Sequence, residues 1–341
     1  MSWFDESRLD DEVALGAADL RLRTLAESGA RVRREAGGAA EATAIGVTRS
    51  QDARPRAVIA AGPDSRLLRA VLEPFCPVPF VAWPGPALPG WAGSLDLVVV
   101  LAPVGSDSGT ASSVAEAVRR GCQVVVACPP GSMVAEHAAG RYTTMLPTVT
   151  DDALAAAVVM LSYLHELELG PEAEADRVAD ALDDVAIACS PQRDISINPA
   201  KMLALCLADA NPLVWGGSVL AARAARRVAE SIRRSSGRTA LAGDAEHLLP
   251  VIEATRARDV FDDPFDGAAP GDLRPVLVVL DDGADDPVVR ENRGRLQAAA
   301  AGRGVRVETV TSEAPGEVAR YASLLLTGTY AAEYLRLGLV D

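Results

Sequence analysis

Apolar residues follow two rhythms along this chain, and the switches between them mark out its elements. Near the start, Leu9, Val13, Leu15, Leu20, Leu22 and Leu25 recur at helical spacing, and a Gly/Ala-rich stretch continues to about residue 45. This predicts one or two leading helices that cover the first domain or a partner. The run Ala57-Val58-Ile59-Ala60-Ala61 reads as a strand closed by Gly62-Pro63-Asp64-Ser65, and Leu67, Leu68, Val71 and Leu72 then return to helical spacing. Residues 78–83 form a second short strand. Residues 95–101 are almost continuously apolar, as in a parallel sheet covered on both faces. A small-residue loop at 105–110, a helix at 111–120, a strand at 123–127 and a helix from 132 to 137 continue the βαβαβ order.

Residues 151–167 and 171–187 carry long amphipathic patterns separated by Gly170-Pro171, which suits a connection between halves. A second α/β series follows: a helix at 199–209, a strand at 212–215, the loop Gly216-Gly217-Ser218 and a long helix to about 234. A strand at 276–280, a helix at 288–301, a strand at 305–310 and a terminal helix at 317–337 complete it. The expected division is therefore 1–150, with its leading helices, then a helical connection at 151–195, then 196–341. Strands alternating with helices imply a mostly parallel sheet in each half, with ligands at the carboxyl ends of the strands.

Composition narrows the function. A chain of 341 residues, 49% of them hydrophobic, can bury two ordinary cores. A net charge of −14 argues against nucleic acid, whose recognition needs clustered Lys and Arg. No apolar run approaches the roughly 18–20 residues of a membrane span, and Met1-Ser2-Trp3-Phe4-Asp5-Glu6 does not resemble a signal peptide, so a cytoplasmic location without membrane contact is expected. Cys76, Cys122, Cys128, Cys189 and Cys206 include no C-x-x-C pair and read as buried thiols. His137, His165 and His247 are too dispersed for a zinc site, and no metal is expected. Lys201 is the only lysine among 33 basic residues, so any chemistry that requires a lysine has one candidate.

In each half a buried strand runs into a Gly/Ser loop that opens a helix, so free backbone N–H groups and the helix dipole converge on an anion-ready point. The first half offers Gly62, Ser65, Gly105, Ser106, Ser108 and Thr110; the second offers Gly216, Gly217 and Ser218. Plain helix capping explains the same residues equally well. With neither G-x-x-x-x-G-K-[ST] nor G-x-G-x-x-G present, a simple phosphate is expected rather than a nucleotide, and no cofactor.

The segments LVVVLAPVGSDSGTASSVAEAVRRGCQVVVAC, NPAKMLALCLADANPLVWGG, GDAEHLLPVIE and ARYASLLLTGTYAAEYLRLGLVD occur in that order within residues 55–341. Together they resemble the bifunctional phosphoglucose/phosphomannose isomerases, which carry two sugar-isomerase (SIS) domains. The resemblance implies an α/β fold of two SIS (flavodoxin-like, parallel-sheet three-layer) domains in tandem. It also implies metal-free interconversion of aldose and ketose 6-phosphates through a cis-enediol(ate), and a homodimer is expected both from the resemblance and because the helices at 151–187 and the terminal helix from Glu317 carry more apolar residues than one face needs.

Residue by residue, the resemblance carries over unevenly. The family's S-Y-S-G-N-T-E-E-T phosphate loop falls on Ala102-Pro103-Val104-Gly105-Ser106-Asp107-Ser108-Gly109-Thr110. Both serines and the first threonine are lost, and a local shift is needed for Ser106, Ser108 and Thr110 to serve. His247 matches the ring-opening histidine, and Arg141 the arginine that steadies the enediolate. The catalytic glutamate falls on 232–236, where there is no carboxylate, and the family's tail lysine has no counterpart before Asp341. Two readings follow. One is a protein that binds a sugar phosphate or related carbohydrate derivative between the 105–110 loop, the 216–218 loop and His247, with isomerase turnover weak or absent. The other is a non-catalytic sensor or scaffold for sugar-nucleotide (mannose) metabolism.

Overall fold

Runs of apolar β-branched residues build two parallel sheets, and helices of complementary pattern cover them. A computed structural model describes residues 3–50, 54–256 and 273–340. In chain order the elements are β1 (Trp3–Phe4), a 3-10 turn (Glu6–Leu9), α1 (Glu12–Ala26), α2 (Ser28–Ser50), β2 (Val58–Ala61), α3 (Ser65–Leu72), β3 (Phe80–Trp83), β4 (Leu97–Leu101) and α4 (Ser108–Arg119). Next come β5 (Gln123–Cys128), α5 (Met133–His137), β6 (Thr143–Pro147), α6 (Ala153–Glu166), α7 (Ala175–Ala188), α8 (Pro199–Leu207), β7 (Ala210–Gly216), α9 (Val219–Ser236) and β8 (Leu241–Ala242). The last are α10 (Ala245–Glu253), β9 (Arg274–Asp281), α11 (Pro287–Arg303), β10 (Arg306–Thr311), α12 (Glu317–Gly338) and β11 (Leu339–Val340). Among the described residues no helix is long and apolar enough to cross a membrane.

Internal contacts divide the chain into two units, Ser28–Asp180 and Met1–Glu27 with Ala181–Asp341. In the first unit the strand order is β3-β2-β4-β5-β6, all parallel, which is the flavodoxin-like order. Every residue of β2 and β4 is buried, so both faces of this sheet are covered, as the unbroken apolar runs predict. The second unit repeats the plan with four parallel strands, β10-β9-β7-β8. It also holds the small antiparallel pair β1-β11. The leading helices separate: α1 packs on α12 and α2 on α6 and β6. Strand β6 escapes the apolar pattern because only one of its five residues is buried.

The terminal helix α12 is buried on nearly all sides, by α8, α9 and α1 of its own unit. Small residues make this possible. A Cβ on Gly328 would lie 2.3 Å from Val228 Cγ2, and one on Gly338 would lie 2.2 Å from the Phe4 ring. Helix α6 is likewise buried within its unit, so the apolar excess of both helices is consumed inside the chain. Cys122, Cys128 and Cys189 are buried free thiols, whereas Cys76 and Cys206 are only half-buried, which departs from the sequence expectation. Cys206 sits on α8 at the margin of an open groove. Burial still pushes its thiol up to about 11 and that of Cys189 to about 12, so neither is a ready nucleophile.

The single lysine is a structural staple. Lys201 is fully buried, and its Nζ donates to Asp10 Oδ1 (2.6 Å), Pro191 O (2.9 Å) and Arg193 O (2.9 Å), which uses all three ammonium protons. The ammonium also lies 5.6 Å from the Tyr334 ring centroid. Asn198 caps α8 by accepting from Ala200 N and Lys201 N, and its amide donates to Ser190 O (3.0 Å). Tyr334 Oη donates to Cys189 O (2.6 Å). The Asn198-Pro199-Ala200-Lys201 segment thus gathers the carbonyls of Ser190, Pro191 and Arg193 and fastens the N-terminal segment at Asp10, while Tyr334 holds that of Cys189.

Removing either partner of the Lys201–Asp10 pair has unequal consequences, because Lys201 is buried and Asp10 is 46% exposed. Asp10→Ala strands a buried charge and should cost about 3–5 kcal/mol. Lys201→Met leaves a carboxylate that water can reach and two unpaired carbonyls, which should cost about 1–3 kcal/mol. Urea unfolding of the two variants against the parent checks this order.

Candidate functional site

In a parallel α/β sheet the strand-end loops at the carboxyl edge collect free N–H groups, so a ligand site is sought there. In the first unit this edge holds the loops after β2, β4, β5 and β6. Gly62 has φ 90° and lies against Thr110, whose Oγ1 would be 3.3 Å from a Cβ at Gly62. Ser65 opens α3, and its hydroxyl is buried with no hydrogen-bond partner. Gly105 has φ 71°, and a Cβ there would meet Ser132 at 2.4 Å, so glycine is required both by the backbone and by close packing.

The phosphate-like loop already contains an anion. Asp107 caps α4, and its Oδ1 accepts from Thr110 N (2.7 Å) and Thr110 Oγ1 (2.6 Å). The Thr110 hydroxyl, helped by the backbone N–H, holds the Asp107 carboxyl below the usual carboxylate range. Thr110 is buried and engaged, while Ser106 and Ser108 are exposed and their hydroxyls form no hydrogen bond among the described residues.

At the end of β6 a second internal carboxylate fills a comparable position. Glu35, on α2 and fully buried, accepts from Val149 N (2.9 Å), Thr150 N (2.5 Å) and Thr150 Oγ1 (2.5 Å). Asp152 caps α6 through Leu154 N and Ala155 N, and pairs with Arg31 at 2.7 Å. Beside them a cavity of about 430 Å³ is lined by Arg31, Arg34, Thr148, Thr150 and Asp151, together with Pro103, Pro129 and Val149. Thr148 is 3% exposed, and its hydroxyl has no partner. The sequence reading missed Arg31, Arg34 and Glu35, because nothing in the pattern of α2 indicates that this helix borders the strand ends.

Arg141 does not join this edge. It precedes β6 and so stands at the amino end of a strand parallel to β4, opposite the 105–110 loop, with its guanidinium 5.4 Å from the Tyr142 ring centroid.

In the second unit Gly216, Gly217 and Ser218 follow β7, and His247 lies in the first turn of α10 after the neighbouring β8, so one carboxyl edge carries both. The glycines serve packing. A Cβ on Gly216 would lie 2.2 Å from the Ala221 backbone, and one on Gly217 would lie 2.3 Å from Val289 Cγ1. Ser218 caps α9 by accepting from Ala221 N, and its hydroxyl donates to Asp282 Oδ2. Asp281 stands alongside, gripped by Arg293 at 2.7 and 2.6 Å. Burial would push its carboxyl up, but the Arg293 and Gly283 hydrogen bonds outweigh burial and hold it down. His247 is exposed, and its ring makes no hydrogen bond among the described residues.

Residues 232–236 lie on α9 without a carboxylate, and Glu230 is paired with Arg227 and Arg234, each at 2.6 Å. The 105–110 loop belongs to the first unit, and the 216–218 loop and His247 to the second. Among the described residues no group of three or more His, Cys, Asp or Glu side chains could hold a metal ion.

Residues 196–338 match the family model of the bacterial phospho-glucose isomerase C-terminal SIS domain. No curated protein matches the chain. Solved structures match over most of its length. Tagatose-6-phosphate ketose/aldose isomerase from Escherichia coli aligns at 11% identity and a TM-score of 0.67, covering 92% of this chain and 93% of that one. The C-terminal domain of glucosamine-fructose-6-phosphate aminotransferase from Francisella tularensis aligns at 11% identity and a TM-score of 0.57, covering 90% and 95%. A glucose-6-phosphate isomerase like protein from Thermus thermophilus aligns at 18% identity and a TM-score of 0.50, covering 84% and 82%. At these identities the structures establish that the chain shares their fold, and the family model shows that residues 196–338 are similar to the bacterial phospho-glucose isomerase C-terminal SIS domain.

Proposed function

We propose that this protein binds a carbohydrate derivative, a sugar phosphate or a close relative, at the carboxyl edge of its first sheet without turning it over as an isomerase. The Asp107 carboxylate carries this reading: it takes the Thr110 N–H and hydroxyl that a phosphate in this loop would need. The cavity at the end of β6 offers Arg34 as a cation, next to Arg31, which is paired with Asp152, and to the Asp151 carboxylate, and the unpartnered Thr148 hydroxyl adds a donor. Proton transfer between C1 and C2 requires a positioned base. The position assigned to it has none, and Glu230 is held in two ion pairs. His247 alone would at most open the ring. A cytoplasmic homodimer completes the proposal, resting on the resemblance to enzymes that work as dimers.

A non-catalytic scaffold or sensor in sugar-nucleotide (mannose) metabolism is the second reading. The same observation favours it, since a loop whose donors are satisfied internally has less to offer a phosphate.

A coupled assay with glucose and mannose 6-phosphates should give no turnover, and ordinary rates, on the order of 1 s⁻¹, abolished by His247→Ala would overturn the proposal. Ligands that bind only the folded state raise its melting temperature. A thermal-shift panel of glucose, fructose and mannose 6-phosphates should therefore stabilise the parent and lose that effect in Arg34→Ala. If no sugar stabilises the parent, the scaffold reading stands in its place. Light scattering at micromolar concentration should report a dimer.

Asp107→Ala should cost about 0.5–2 kcal/mol through the lost cap. The folded-state value of this carboxyl lies below its ordinary one near 3.9, so its contribution is present above that pH and fades as pH falls through the folded value. The stability gap between parent and variant should be full above about pH 5 and narrow steadily toward pH 3, as read from urea midpoints across that range.

A further inference from the structure

Strand β10 is an edge of the second sheet, and its outer backbone is unclaimed. It pairs only with β9, and Ser312 N donates to Asp281 O (3.0 Å) just beyond it. That bond sets the phase of the ladder: even-numbered residues exchange with β9, so Val307, Thr309 and Thr311 turn their N–H and C=O groups away from the sheet. Among the described residues these groups make no hydrogen bond, and Thr309 and Thr311 are exposed.

This free edge borders a groove of about 630 Å³ whose far wall is Val185 of α7 with Met202 and Leu203 of α8. The groove carries three carboxylates, Asp184, Glu308 and Glu313, and no basic side chain lines it. Apolar walls, a run of unpaired backbone groups and one sign of charge together specify an occupant more narrowly than any one of them does.

We propose that β10 and its groove accept an extended segment of a partner protein as an added strand of the second sheet, with apolar residues alternating with Lys or Arg. Main-chain hydrogen bonds to Val307, Thr309 and Thr311 supply the pairing, and the groove takes every second side chain. The carboxylates select the basic residues on the segment. A second copy of this chain fits poorly, because pairing β10 with itself would bring both sets of carboxylates together in one groove.

The full chain is titrated with fluorescein-labelled ten-residue peptides in an anisotropy experiment at moderate salt. One peptide alternates valine with lysine, one alternates valine with glutamate, and one is the lysine peptide with alternate amides N-methylated. The lysine peptide should bind at least tenfold tighter than the other two. Thr309→Pro removes an outward N–H without touching the β9 ladder and should cost at least tenfold. Glu308→Lys with Glu313→Lys should reverse the charge preference while leaving the backbone edge intact, which keeps the result readable if the proline variant unfolds. Equal affinity for all three peptides, no binding at all, or unchanged selectivity in the charge-reversed variant would overturn the proposal. So would self-association abolished by Thr309→Pro, which would make the edge an interface between copies of this chain.

Discussion

One buried ammonium organises the second unit. Burying the Lys201 ammonium requires acceptors around it, and they come from two distant places in the chain: Asp10 near the start, and Pro191 and Arg193 in the turn just before α8. This requirement fixes where the N-terminal segment lies. The same locality holds Asn198, which caps α8 and reaches Ser190, and Tyr334, which crosses from α12 to Cys189. With the 189–193 segment fastened by four side-chain bonds to its carbonyls, α8 and α12 are held together and the sheet receives its helical cover. The Asn198-Pro199-Ala200-Lys201 segment, part of a stretch that resembles the isomerases, thus serves packing through these bonds.

A second constraint acts at the carboxyl edges of both sheets. Helix N-termini there present N–H groups that must be satisfied, and a phosphate is only one way of doing so. This chain uses its own acids: Asp107 for α4, Asp152 for α6, and Glu35 for the turn that leads into α6. In the second unit Ser218 caps α9 and spends its hydroxyl proton on Asp282. Internal carboxylates lower the gain from an incoming anion, because the ligand must displace a bond already made. The proposed phosphate site would then depend on cations brought from elsewhere, and α2 brings Arg31 and Arg34 to the end of β6.

The apolar excess of α6 and α12 illustrates how a fold absorbs a signal that suggests an interface. A helix that is apolar on every side needs partners on every side, and these can be neighbouring helices of the same unit. Gly328 and Gly338 remove the bulk that would keep Val228 and Phe4 at a distance. Close approach within the unit accounts for the small residues of α12.

The sequence by itself determined the sheet-forming runs, the alternation of strand and helix and the resemblance to an SIS fold, because period and apolar continuity are written locally and each buried strand declares itself. It also placed the 105–110 and 216–218 loops at strand ends and His247 near a helix start. It did not reveal β6, whose residues are mostly half-buried, nor that Gly216 and Gly217 are packed so closely that a Cβ on either would lie only 2.2–2.3 Å from its neighbours. It set Arg141 among the site residues, although a parallel sheet leaves that position at the opposite edge. Only the tertiary structure decided which side chains meet. Lys201 and Asp10 are 191 positions apart, and Glu35 and Val149 are 114 apart. Such pairs follow from how helices settle on sheets, and no pattern along the chain records that geometry.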